Sequence, residues 1–145
     1  VSQVFDAPRE RLPLRRRLAA RTAVTAALLL ARLPPRRIRR VLHLLRRGAA
    51  PATHDQARTA RDDVTATSSV CAGRYCLQRS LATALLCRLR GTWPTWCTGV
   101  RMQPFAAHAW VEVDGDPVGE PPGTAAYRHL IRIPPRVGRV SPPGG

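Results

Sequence analysis

The sequence predicts an α+β fold: helices first, a central helix that opens on a cysteine, then a small antiparallel sheet carrying a histidine. Three observations predict it. Apolar residues recur at helical spacing through the first ninety positions. Residues 95–120 alternate as strands do, with Asp114-Gly115 as a hairpin signal. Pro34-Pro35, Gly48, Gly91 and Pro121-Pro122-Gly123 punctuate the elements. A chain of 145 residues supports one compact domain with a modest core. Within it, residues 1–50 read as a basic helical region and residues 51–145 as the part bearing the candidate chemistry.

The first helix runs from Arg9 or Leu14 to Leu33, rich in Ala and Leu, and Pro34-Pro35 stops it. The second covers Arg36 to Arg47, with Ile38, Val41, Leu42 and Leu45 as its apolar stripe and Gly48 as its C-terminal cap. Gly48 to Thr53 is a connector, and Asp55 caps a third helix that reaches Ser69. Cys71-Ala72-Gly73-Arg74-Tyr75 breaks that pattern. The central helix then starts at Cys76, carries Leu77, Leu81 and Leu85 on one stripe, and ends before Gly91. Gly91 to Pro94 is a turn. Thr95–Arg101 and Phe105–Val113 are strands, Val118 to Glu120 is a short third one, and Leu130 to Ile133 adds another within 127–140. The tail from Ser141 reads as disordered.

The net charge is +15, and all 24 basic residues are Arg. Residues 1–60 hold 14 Arg against three acids, a net of +11; residues 61–145 hold 10 against six, a net of +4. Such a chain is drawn to anionic partners. The arginines of the second helix read as a solvated basic face, with a docking surface for an acidic peptide as the sharper alternative. No aromatic residue is interleaved with them, so nucleic acid is not expected. The longest apolar run, Leu18 to Leu33, is about 16 residues and contains two arginines, short of a membrane span. The N-terminus lacks the pattern of a secretory signal, so the expected location is the cytoplasm, with Cys71, Cys76, Cys87 and Cys97 as reduced thiols.

Cys76 is the candidate nucleophile. A cysteine in the first turn of a helix meets unpaired N–H groups and the positive end of the dipole, which favour the thiolate. The ordinary fate of a free cysteine is burial as a small apolar residue, and Cys71, Cys87 and Cys97 are read that way. His43 and His54 read as surface or core-edge residues. His108, on the second strand, is the candidate base. With a three-residue loop Val113-Asp114-Gly115, Glu112 pairs with Asp116, Trp110 with Val118 and His108 with Glu120. A two-residue loop instead puts Glu120 on the other face. Asp114 and Asp116 are the substitutes for Glu120. A zinc site from Cys71, Cys76 and His108 is a minor alternative; no metal or nucleotide cofactor is required. The order helix-start cysteine, strand histidine, acid across a hairpin is that of papain-like and transglutaminase-like thiol enzymes.

Cys76-Leu77-x-Arg79-Ser80-Leu81-x-x-x-Leu85-Leu86, then Gly91, Gly99-Val100-Arg101 and Phe105-x-x-His108-Ala109-Trp110-Val111-Glu112-Val113-Asp114-Gly115, resembles the lasso-peptide biosynthesis protease family. The resemblance is good over about 70–123 and weak before it. It implies a transglutaminase-like fold, with residues 51–145 as the protease core, and removal of the leader from a lasso precursor peptide. It further implies Cys76 as nucleophile, His108 as general base and Glu120 where the family has an aspartate. It makes this chain the stand-alone protease half, expected to need a separate leader-recognition protein and to act before an ATP-dependent lasso cyclase. Two other readings follow from the residues: a thiol acyltransferase of the same fold, and a non-catalytic basic adaptor for an acidic peptide or nucleic acid.

Overall fold

The structure, a computed structural model, describes residues 12–73 and 75–136. An earlier helix start at Arg9, Arg74 and the tail from Ser141 lie outside the described residues.

Five helices precede a four-stranded antiparallel sheet, so the chain is α+β. Helix α1 (Leu14–Leu30) buries Ala20, Ala23, Val24, Ala27 and Leu30. Its inner face is mostly alanine, which lets it approach its neighbours closely. Helix α2 (Pro35–Leu45) starts on Pro35, not Arg36: proline suits the first helical position, where its missing N–H has no intrahelical partner. Gly48 follows at φ +77°, and Ala50–Pro51 (β1) pairs in parallel with Thr92–Trp93 (β2), so the expected connector and turn meet as a two-residue ladder.

Helix α3 (His54–Thr67) is capped by Thr53 rather than Asp55. The Thr53 hydroxyl accepts from the Gln56 N–H, and the Gln56 side chain accepts from the Thr53 N–H, a reciprocal capping box. Ser68 ends α3 and caps a single extra turn, α4 (Ser69–Ala72). Helix α5 (Cys76–Leu89) has the bounds the sequence predicts. It is buried from Ser80 through Cys87, because α1 and α3 pack on one side and strands Thr95–Arg101 (β3) and Ala106–Val113 (β4) on the other. One buried cluster runs from Ala20 and Leu42 through Val64 and Leu81 to Val111 and Ile133.

Asp63, 2% exposed, joins three helices. It accepts Arg16 Nε at 3.1 Å and Nη2 at 2.7 Å from α1, and Arg90 Nη2 at 2.6 Å from the end of α5. Removing a buried carboxylate leaves its cations unpaired, but both guanidiniums here can rehydrate. Asp63→Ala is therefore expected to cost about 2–3 kcal/mol, read as a lower urea midpoint at unchanged slope.

The sheet order is β5-β4-β3-β6, with β5 at Asp116–Pro117 and β6 at Arg128–Ile133. Gly99 sits where β3, β4 and β6 meet, opposite both His108 and His129. A Cβ there would lie 2.7 Å from the Arg128 carbonyl oxygen and 2.9 Å from the Trp110 ring. Backbone cannot yield as a flexible side chain can, so Gly99→Ala is expected to destabilise by about 1–3 kcal/mol, checked by thermal melting.

The hairpin differs from the expected one. Val113 pairs with Asp116 and Glu112 with Pro117, so the loop is the two residues Asp114-Gly115. Their φ values of 52° and 83° are those a tight two-residue turn demands. Strand β5 precedes Val118 instead of starting there, and Pro117 supplies no N–H to prolong the ladder. After Val118 donates to the Val111 carbonyl at 2.9 Å, the chain turns away at Gly119, φ +66°. A 3-10 turn, Pro122–Ala126, leads into β6, the strand expected around Leu130 to Ile133.

Candidate active site

Cys76 is the first residue of α5, after Tyr75 as N-cap. Among the described residues, the first backbone N–H of this helix that finds a carbonyl is that of Arg79, bonded to the Tyr75 oxygen at 3.0 Å. The amides ahead of it in the first turn therefore lack intrahelical partners and face the thiol end.

His108 lies on β4, beside that helix end. Its Nε2 is 2.8 Å from Glu120 Oε2. The ring stacks on Trp110 at a centroid distance of 5.7 Å and an angle of 17°, and Tyr127 packs against it at 5.4 Å. Glu120 and two aromatic rings thus fix the imidazole. With Nε2 taken, Nδ1 is the nitrogen left for the thiol.

Glu120 reaches this position although the three-residue register is wrong. Continued with the observed pairing, the ladder would set Glu120 opposite Ala109, on the other face. It stops at Val118, and the left-handed Gly119 swings the next residue back toward His108. The Glu120 side chain is 3% exposed and has Arg61 of α3 3.8 Å away. Asp114 and Asp116 are exposed at the hairpin tip, and neither hydrogen-bonds His108 among the described residues.

Early departure of β5 also frees the edge of β4. Val111 turns its backbone toward β5, and backbone direction alternates along a strand, so Ala109 turns its N–H the same way, past the end of the ladder. That N–H donates toward the Cys76 sulfur. The Cys76 pKa is lowered, first by hydrogen bonding with His108 and then by the Ala109 amide, against the opposing effect of burial. His108 is raised to about 9 by its bonds to Cys76 and Glu120. The two shifts point the same way: each group favours the charged form of the other.

The other thiols behave oppositely. Burial raises Cys71, pushes Cys87 to about 11, and pushes Cys97 to about 12 with help from the Glu112 carboxylate. Cys76 alone combines partial exposure with a lowered pKa, the condition for a reactive cysteine. A zinc set of Cys71, Cys76 and His108 does not form the metal-ligating group of the described residues, which is Cys97, Glu112 and His129, with donor atoms within 4.8 Å of one another.

That second grouping was not read from the sequence. Glu112 accepts from Trp110 Nε1 at 3.2 Å and Arg132 Nη2 at 3.0 Å, and its Oε2 is 3.3 Å from His129 Nε2. The Arg132 cation stands against a second positive ion at this carboxylate, and the buried, high-pKa Cys97 is a poor nucleophile. The grouping secures three strands to one another. Its residues lie on β4, β3 and β6, and only the register of all three strands brings them together. Tyr127, likewise absent from the sequence reading, packs beside both His108 and Trp110.

No helix among the described residues is long and apolar enough to cross a membrane. A family model described as the transglutaminase-like superfamily matches residues 20–132. No curated protein and no solved structure matches the chain.

Proposed function

Since this chain belongs to the transglutaminase-like superfamily, we propose that it is a cysteine peptidase that removes the leader from a ribosomally made lasso precursor peptide. The family and the approach of Cys76, His108 and Glu120 support cysteine-dependent hydrolysis or acyl transfer. The lasso substrate rests on the likeness of the Cys76 and His108 motifs to that protease family. One observation carries the reading: a thiol of lowered pKa at the start of a helix, beside a histidine whose far nitrogen is held by a buried carboxylate.

In the proposed reaction the Cys76 thiolate attacks the scissile carbonyl carbon. Unpaired amides of the first turn of α5 receive the developing oxyanion. The C–N bond breaks as His108 gives its proton to the leaving amine. His108 then takes a proton from water, whose oxygen attacks the thioester; the S–C bond breaks and the leader leaves as a carboxylate. Glu120 keeps the ring oriented throughout and stabilises it whenever it is an imidazolium. A separate leader-recognition protein presents the precursor, and an ATP-dependent cyclase uses the core peptide, all in the cytoplasm.

The test incubates purified precursor with this protein and the leader-recognition partner, with mass spectrometry of the products. Two hydrolysed fragments and a transient thioester on Cys76 are expected. An amine adduct in place of the carboxylate would establish the acyltransferase instead, and absence of any acyl-enzyme would sink both.

A further inference from the structure

We propose that the cleft between α3 and α5, one of whose lining residues lies a helical turn from Cys76, binds the side-chain carboxylate of an acidic residue in the peptide substrate, held by Arg61 and Arg79. The proposal rests on Cys76 being the reactive thiol and adds a substrate requirement to it.

The cleft measures about 390 Å³, and Arg61, Thr65, Ala66, Ala72 and Arg79 line it. Arg61 comes from α3 and Arg79 from α5, three residues beyond Cys76 and so on the same helix face as the thiol. Both arginines are only partly exposed, and each stands within electrostatic reach of the other. Among the described residues only one carboxylate lies within 4 Å of either guanidinium. The carboxylate beside Arg61 is Glu120 at 3.8 Å, and its other oxygen is engaged by His108. Arg79 gives Nη1 to the carbonyls of Gly73 at 3.0 Å and Cys71 at 3.4 Å, and no carboxylate lies within 4 Å of it among the described residues.

Two like charges held in a partly desolvated cleft repel each other more than on an open surface. An anion between them reverses that repulsion, and the planar guanidinium matches a carboxylate. Small walls at Ala66 and Ala72 leave room for one side chain. Thr65 donates its hydroxyl to the Asp62 carbonyl at 3.1 Å, so among the described side chains that line the cleft the two arginines are the free donors. The fit is therefore an Asp or Glu close to the scissile bond, because Arg79 is one turn from the nucleophile.

The test uses two thiol reagents of nearly equal shape, iodoacetate and iodoacetamide, on the intact protein. In both, the thiolate displaces iodide; a carbon–sulfur bond forms and the carbon–iodine bond breaks. Cys76 is expected to react with the anionic reagent about tenfold faster than with the neutral one, and saturably. Arg79→Met should bring that ratio to one or below. So should Ala72→Glu, which puts a carboxylate into the cleft at an exposed position and avoids loss of the Arg79 contacts. Arg40→Met, a charge removed from α2, should leave the ratio unchanged. A ratio that survives Arg79→Met and Ala72→Glu, or falls equally in Arg40→Met, overturns the site in favour of the general positive field. Should Cys76 react with neither reagent, the thiolate reading fails. The cleft is then judged by N-acetylglutamate amide, which must raise the melting temperature of the parent but not of Arg79→Met, with the glutamine analogue inert; no shift overturns the site.

Discussion

Cys76→Ala is expected to give a folded protein that no longer cleaves precursor, with kcat/KM down by at least about 10⁴. Only the proposed nucleophile is lost. Cys76 is partly exposed at a helix start, and the fully buried stretch of α5 begins at Ser80, so the melting curve should move little. His108→Ala should match it in activity. It also leaves Glu120 buried with only the distant Arg61, so it should melt earlier than Cys76→Ala. Full cleavage by Cys76→Ala would mean that the chemistry lies elsewhere. Circular dichroism of each variant separates a dead site from an unfolded one.

Glu120→Gln is expected to lower kcat/KM by about 10²–10⁴ and to displace the alkaline limb of the pH profile. In the proposed reaction the active form pairs a thiolate with an imidazolium. It exists above the lowered Cys76 pKa and below the His108 pKa of about 9. Raising pH through about 9 removes the proton that the leaving amine needs, so activity falls there. Glutamine keeps the shape of Glu120 but not its charge, so His108 loses a source of its raised pKa and the limb moves to lower pH. An alkaline limb that stays near its parental position would reject Glu120 as the orienting group and reopen Asp114 and Asp116. This measurement bears on the third member of the site, where the sequence departs from an aspartate.

Much of the fold was legible because its signals are local. The bounds of α5 and β3 follow from apolar spacing and the flanking glycines and prolines. Errors fell where two local signals competed. Thr53 and Asp55 are both good caps, and Gln56 decided for Thr53 by completing the reciprocal bond. Asp114-Gly115 permits two loop lengths, and the two-residue turn won.

Cys76 and His108 were readable as a pair because each sits in a motif with its own signature. Glu120 was named for a reason that did not hold: the expected register fails, and left-handed Gly119 makes the contact instead. The grouping of Cys97, Glu112 and His129 carried no sequence signal, since its members belong to three strands and touch only through cross-strand register.

By itself, then, the sequence determined which residues could act: a cysteine where helix amides are unpaired, a histidine on the strand before a hairpin, an acid just beyond it. Only the tertiary structure decided which thiol is activated, which carboxylate reaches the imidazole, and that Arg61 and Arg79 face one cleft. The physical reason is range. Helix starts and turns are set within a few residues, whereas pKa shifts and buried ion pairs depend on groups that meet through long-range packing.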